Sequence, residues 1–449
     1  MARLLFTVWP FAGHVHPALA IGHALRLRGH EVAFYTGEAV RSLLEAEGFR
    51  CFPFARVDEK RVFALASSEF PYRSSIWQQL RYAKQLQANF REWLLDTVPQ
   101  QVEDLDTILT HWRPDVLICD LAFWSPILVL GETRGIPVAV LSVLAACLLP
   151  GPDAPAWGQG APRPRNRIMR LRSTMKRKLL QWLSAGFLAQ ANGIRRRYGL
   201  PALRCSVTEF AGRMPLYLVP SMREYDYDRR DLPPSVHYVG PCLWDKPSAA
   251  PPPDWLLRLP AGRPLIYATE ATIGTGEPFL LQAAARAFRN LPVDVVMTTG
   301  AQRNPAGLKL ADSAPNVRVE SYVPQSDLLP RTAVMVTLGG SGGVLAALKA
   351  GVPLVVVPTE WDRPENAQRV VEAGAGIRIP PNRCTPERLR SAVERILREP
   401  SYRANAQRLA AVSAHYSGPD RASELLEGLC TTAAAMPGSY GGNYRCHGF

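Results

Sequence analysis

Short apolar runs alternate along this chain with stretches whose apolar positions recur every three or four residues. Leu4 to Trp9 is a run of buried-strand type, Ala18 to Arg28 has helical spacing and is stopped by Gly29-His30, and Glu31 to Tyr35 is a second run. Strand, helix and strand in that order make a βαβ unit and so a parallel sheet wrapped by helices. Pro10 to Pro17 reads as the loop between the first strand and its helix, and Arg113 to Asp120 as a further strand ending in an acid. The alternation resumes at Leu265 to Thr269, with a helix over Pro278 to Phe288 and strands at Val293 to Thr298 and Val317 to Tyr322. Ala333 to Thr337 and Val352 to Val357 are two more strands, and Pro386 to Arg398 and Arg403 to Ala414 are helices by pattern. The predicted class is α/β, with two doubly wound, Rossmann-like domains.

Length supports two domains, because 449 residues exceed what one hydrophobic core usually serves. The Pro/Ala-rich stretch Pro247 to Pro253 marks a linker near the middle. A net charge of +13 favours polyanions in general, but no nucleic-acid module accompanies it, and no nucleic-acid partner is expected. The eight cysteines are scattered without a Cys-x-x-Cys pair, as expected of free thiols in a reducing cytoplasm. Ile136 to Pro150, the longest apolar run, is too short to span a bilayer and is interrupted by Ser142. Eight of the sixteen residues from Arg163 to Lys178 are basic. They read either as a solvated helical face or, with Ile168, Met169, Leu171, Leu179 and Leu180 interspersed, as an amphipathic contact for anionic lipid.

The densest chemistry lies between Thr332 and Ile377. Gly339, Gly340, Gly342 and Gly343 fall where a buried strand turns into a helix, so the backbone can take positive φ and come close to a ligand. The amides of Ser341, Gly342, Gly343 and Val344 would be open first-turn donors suited to a diphosphate, although a plain structural turn also uses such glycines. No Gly-Lys-Ser/Thr closes the turn, which excludes a P-loop. Leu345 stands where a dinucleotide fingerprint needs its third glycine. Asp362 and Asn366 lie four apart and could face one ligand. In the first half, His14 would lie at the C-terminal edge of the sheet, and Asp120 on the same edge. A carboxylate on one imidazole nitrogen fixes the tautomer and frees the other as a base; the plainer alternatives are a loop histidine satisfied by backbone and an N-capping aspartate. Phe70, Tyr72, Trp77, Tyr82, Phe90 and Trp124 would line an apolar pocket or simply pack in the core. Asp226-Tyr227-Asp228 reads as a surface turn, and no metal site is expected.

The stretch from Tyr322-Val323-Pro324-Gln325 through Leu348-x-x-Gly351-Val352-Pro353 to Pro358, Asp362 and Asn366 resembles the donor-binding signature of inverting, GT-B fold glycosyltransferases that use nucleotide sugars. That group holds plant UDP-sugar transferases and bacterial antibiotic and macrolide glycosyltransferases. Gly13-His14-x-x-Pro17 with Arg28-Gly29-His30 is similar to the opening of the same family. The resemblance implies two Rossmann-like domains facing a cleft, with His14 as catalytic base, Asp120 as its orienting partner and no cofactor beyond the nucleotide-sugar co-substrate. It assigns 1–240 to acceptor binding, 241–256 to the linker, 257–400 to donor binding and 401–430 to a helix returning to the first domain. The tail 431–449 is expected to be disordered.

Under the same resemblance Tyr322 covers the base, with Val323 main chain and Gln325 nearby. Gly340 to Val344 receive the diphosphate, Asp362 and Asn366 hold sugar or ribose hydroxyls, and Arg363 is a further expected donor contact. The sequence departs from the family at four positions: Leu338 replaces a phosphate-binding His, Gly343 a Ser or Thr, Ala346 a ribose-binding Glu and Arg363 a Gln. The expected activity is transfer of a sugar from a UDP- or TDP-sugar to a hydroxyl of a hydrophobic natural product. The departures motivate an alternative, a non-catalytic auxiliary or binding protein on the same fold.

Overall fold

The computed structural model describes residues 1–66, 76–158, 160–245, 252–260, 262–270, 278–300, 303–305 and 314–435. Seven strands, β1 (Arg3–Thr7), β2 (Glu31–Thr36), β3 (Arg50–Pro53), β4 (Val116–Asp120), β5 (Val138–Leu141), β6 (Leu216–Val219) and β7 (Val236–Tyr238), form one sheet in the order β3-β2-β1-β4-β5-β6-β7. Six more, β8 (Leu265–Thr269), β9 (Asp294–Thr298), β10 (Val317–Glu320), β11 (Thr332–Thr337), β12 (Leu354–Val356) and β13 (Gly376–Arg378), form the second in the order β10-β9-β8-β11-β12-β13. Pairing is parallel at the centre of each, β1 with β2 and β4, β8 with β9 and β11.

The near-continuous apolar runs follow from burial on both faces. In the first sheet Leu5, Ala33, Tyr35, Leu117 and Cys119 enter one core, while their neighbours Leu4, Phe6, Val32, Phe34 and Ile118 enter the other. The second sheet divides in the same way, with Val334 and Val336 on one side and Met335 on the other. Strand order reverses between β1 and β4 and again between β8 and β11. At such a point the connections leave for opposite faces and open a crevice beyond the strand ends. The sites therefore belong after β1 and β4 in one domain and after β8 and β11 in the other.

Three expectations need correcting. The span 401–430 is not one returning helix: Pro400–Ser413 stays with the second domain, placing Ala406 and Leu409 in its core, and only Pro419–Ala435 crosses back. There Ala422, Leu426 and Leu429 join the first domain's core. Each buried leucine is worth about 1.5–3 kcal/mol, so they hold the helix more firmly than the half-exposed Arg28–Glu427 pair. Helix also continues past 430 to Ala435, while the rest of the expected tail, with Cys446, lies outside the described residues. Finally, Asp226 is not part of a surface turn; its carboxylate is buried against Arg369 of the second domain. Among the described residues the cysteines are free thiols, and no helix is long and apolar enough to cross a membrane.

Candidate active site

His14 lies on a helix rather than in a loop. The helix begins at Ala12 despite Pro17, because Phe11 caps it and its carbonyl accepts the amides of His14 (2.8 Å) and Val15 (2.9 Å). Proline costs a helix one donor and a steric clash. Here the buried Val15, Ala18, Leu19 and Ile21 outweigh that loss. The first turn thus carries His14 directly over the end of β1.

Asp120 ends β4, the neighbouring strand, with its side chain fully buried, and its Oδ2 is hydrogen-bonded to His14 Nδ1. Its Oδ1 accepts the amide of Ala122 at 2.9 Å, so both oxygens are tied and the carboxylate is held in register with the ring. His14 Nε2 has no partner among the described residues, and the side chain keeps 22% of its surface exposed. Burial disfavours the imidazolium, but attraction and hydrogen bonding to Asp120, aided by the charge of Asp362, outweigh it and raise His14 above the ordinary histidine value. Asp362 belongs to the second domain, so the fold brings the two expected site halves within electrostatic reach.

In that half, β11 ends at Thr337 and the helix Ser341–Lys349 starts after an extended Gly340. Of the four glycines only Gly339 needs positive φ (94°), and a Cβ there would meet Val356 Cγ1 at 2.6 Å. A Cβ on Gly340 or Gly342 would point into open space, which leaves approach to a ligand as their use. The Val344 amide is not an open donor: it bonds the Gly340 carbonyl at 3.1 Å, the first intrahelical bond. The amides of Ser341, Gly342 and Gly343 precede that bond and have no protein acceptor among the described residues.

Ser341 Oγ accepts the Ala145 amide of the first domain at 2.7 Å and donates to Asp362 Oδ2 at 2.6 Å. Asn366 is fully buried and its amide nitrogen donates to Gly339 O (2.9 Å) and Asp362 Oδ2 (2.8 Å). The four-residue spacing does bring Asp362 and Asn366 together, with Asn366 bracing the glycine turn from beneath. Tyr322 is 51% exposed and its hydroxyl donates to Asp245 (3.3 Å), whose other oxygen accepts the Ser326 amide (2.9 Å). The Val323 side chain is core, so only its main chain can face a ligand; Gln325 begins a short helix and is half-buried. Arg363 bonds Thr359 Oγ1 and pairs with Glu360 at 3.5 Å. Leu338 and Ala346 are buried in the second domain's two cores.

Two features escaped sequence reasoning. Trp361, immediately before Asp362, takes φ of 66°, a conformation that costs a bulky residue energy. It thereby reaches over to the first domain, where its ring meets Phe90 at 5.0 Å and Trp93 at 5.6 Å, both edge-on. Trp93 in turn contacts Phe11, and Phe11 lies edge-on to His14 at 5.5 Å. Only an aromatic beside the acid could have signalled this. The second is Glu270, just after β8, which is buried with Arg303 and accepts the Leu280 amide at 2.9 Å. Of the aromatics expected near a pocket, Phe90 is there. Trp77 is 73% exposed, Trp124 is core, and Phe70 and Tyr72 lie outside the described residues.

Two parallel sheets, each with a strand-order reversal and a candidate site beyond it, have the architecture of the GT-B fold. Residues 285–429 match the family model described as erythromycin biosynthesis protein CIII-like, C-terminal domain. The chain is 36% identical over 431 residues to 4'-demethylrebeccamycin synthase of Lentzea aerocolonigenes, covering 95% of this chain and 99% of that protein. It is 28% identical over 447 residues to demethyllactenocin mycarosyltransferase of Streptomyces fradiae, covering 97% and 88%. The solved glycotransferase of kitacinnamycin shares the fold with a TM-score of 0.72 at 24% identity, over 95% of this chain and 98% of that one. The chain therefore belongs to the GT-B glycosyltransferases of the macrolide and antibiotic type, and it is a glycosyltransferase of natural-product biosynthesis.

Proposed function

We propose that this protein transfers a sugar from a UDP- or TDP-sugar to a hydroxyl of a hydrophobic natural product in the cytoplasm, with inversion and without a metal. The observation that carries this reading is the pairing of His14 with Asp120 opposite the glycine turn. His14 Nε2 takes the acceptor hydroxyl proton as the oxygen attacks the anomeric carbon from the face opposite the diphosphate. The bond from that carbon to the diphosphate oxygen breaks, and the nucleoside diphosphate leaves. Asp120 holds the ring and stabilises the imidazolium.

The Ser341, Gly342 and Gly343 amides receive the growing diphosphate charge from the positive end of their helix. Tyr322 and the Val323 main chain border the base, with Gln325 nearby, and Asp362 and Arg363 lie toward the sugar. Asn366 acts through the turn it braces. The domain divisions fit this reading, with acceptor binding before the 241–256 linker and donor binding after it. The test is incubation with a panel of UDP- and TDP-sugars and hydrophobic aglycones in the presence of chelator. An inverted glycoside is expected; a retained configuration or a metal requirement overturns the mechanism.

A second reading, a non-catalytic binding or auxiliary protein, is favoured by one observation: Leu338 and Ala346 are packed in apolar cores where the resembling family has a phosphate and a ribose contact. Calorimetry with the same nucleotide sugars separates the two. Absence of binding at millimolar ligand supports the second.

A further inference from the structure

The helix Arg167–Leu183 is amphipathic in the wrong sense for a helix of a globular domain. Ile168, Leu171, Met175, Leu179, Trp182 and Leu183 recur at helical spacing and form one stripe. That stripe faces solvent, with Ile168 65%, Leu171 62%, Met175 63% and Trp182 73% exposed. No residue of the helix is buried. Its polar side is the one turned to the protein: Ser173 donates to the Ala154 carbonyl at 3.2 Å, Arg177 to that of Gly151, and Arg170 pairs with Asp153 at 3.3 Å. Folding alone would have selected the opposite orientation, since exposed leucines forgo the burial that stabilises a helix on its domain.

Charge identifies what covers the stripe. The helix carries six basic residues and no acid. By helical position Arg167 and Lys178 lie along one border of the stripe and Lys176 along the other, with Arg172 between the Leu179 and Leu183 positions. An apolar stripe edged on both sides by cations, with a tryptophan near one end, matches a surface of anionic lipid, where the side chains enter the acyl boundary and the cations meet headgroup phosphates. A second copy of this chain fits poorly, because it would set two all-basic helices against each other.

We propose that Arg167–Leu183 docks the protein on anionic membrane surfaces, lying in the interface without crossing it. The inference is independent of the sugar-transfer reading. It is tested by sedimenting the full chain with vesicles of phosphatidylcholine, alone or mixed with phosphatidylglycerol, at low and high salt. Binding is expected on the mixed vesicles only and should weaken with salt. The triple variant Leu171→Ser/Met175→Ser/Leu179→Ser should lower partitioning about tenfold or more, and Arg167→Gln/Arg172→Gln/Lys178→Gln likewise, with melting temperature unchanged because none of these side chains supports the core. Absence of binding to mixed vesicles at low salt overturns the proposal. So does binding that the triple serine variant retains, which would be the work of net charge alone. An oligomer of the wild-type chain that the serine variant dissolves would also overturn it, by assigning the stripe to a second copy.

Discussion

Arg369 and Asp226 form an ion pair across the two domains, Nε to Oδ1 at 2.6 Å, with 2% and 0% of their side chains exposed. The second Asp226 oxygen accepts the Cys147 amide (2.8 Å) and the Tyr238 hydroxyl (2.7 Å), and the guanidinium lies over the Tyr227 ring at 4.0 Å. Removing two charges from water is costly, and only geometry this complete offsets it. Burial works against the Asp226 carboxylate, yet Arg369 and these donors hold it below the usual carboxylate range.

Replacing Arg369 with Met leaves Asp226 buried and unpaired and should cost about 3–5 kcal/mol in urea unfolding. Adding Asp226→Asn should recover part of the loss; a double variant no better than the single would mean that the pair is not the source. Because the folded Asp226 value is lowered, its contribution is present above the unfolded carboxylate value and is lost as pH falls through the folded one. The Arg369→Met variant should therefore show a shallower acid dependence than the wild type.

His14→Ala should lower turnover about 10²–10⁴-fold while leaving nucleotide affinity nearly intact, since base and phosphate site lie in different domains. Asp120→Asn should cost less, because the ring remains. Below its raised value His14 is protonated and cannot accept the acceptor's proton, so kcat/KM should fall as pH drops through a midpoint above the ordinary histidine value. Asp120→Asn removes the raising interaction and leaves burial, which moves that midpoint to lower pH. A midpoint that stays in place assigns the acid limb to another group.

Trp361 sets backbone strain against aromatic contact. Trp361→Ala loses its two edge-on pairs, worth about 0.5–1.5 kcal/mol each, and keeps the unfavourable φ. Trp361→Gly loses the same pairs but relieves a conformation that costs about 1–3 kcal/mol. The Gly variant should therefore melt near the wild type and the Ala variant clearly below it. Both should raise the acceptor KM with little change in nucleotide Kd. Equal melting temperatures for the two variants would show that the strain is not there.

Leu338→His restores the family residue, but Leu338 is 7% exposed and packs with Val336 and Val357 in the core. A polar ring there should cost about 1–3 kcal/mol. A lowered melting temperature without tighter UDP or TDP binding is expected; tighter binding would mean that the ring can turn out toward the glycine loop and that the leucine is the only obstacle.

The sequence by itself determined the two parallel sheets, since strand-length apolar runs alternating with helical spacing can bury both faces only in a doubly wound layer. It also determined the glycine turn after β11 and the spacing of Asp362 with Asn366, because both are local geometry within one turn or one helix. Tertiary structure decided the rest. Packing of Val15, Leu19 and Ile21 overrode Pro17 and made the His14 loop a helix. Capping by Gly340 removed the Val344 amide from the open donors. A charge 143 residues away turned Asp226 from a surface turn into a buried pair. The Trp361 contact with Trp93 and the outward stripe of Arg167–Leu183 were equally beyond local reading. Periodicity gives which residues share a face, and only the assembled domains determine whether that face meets core, partner or solvent.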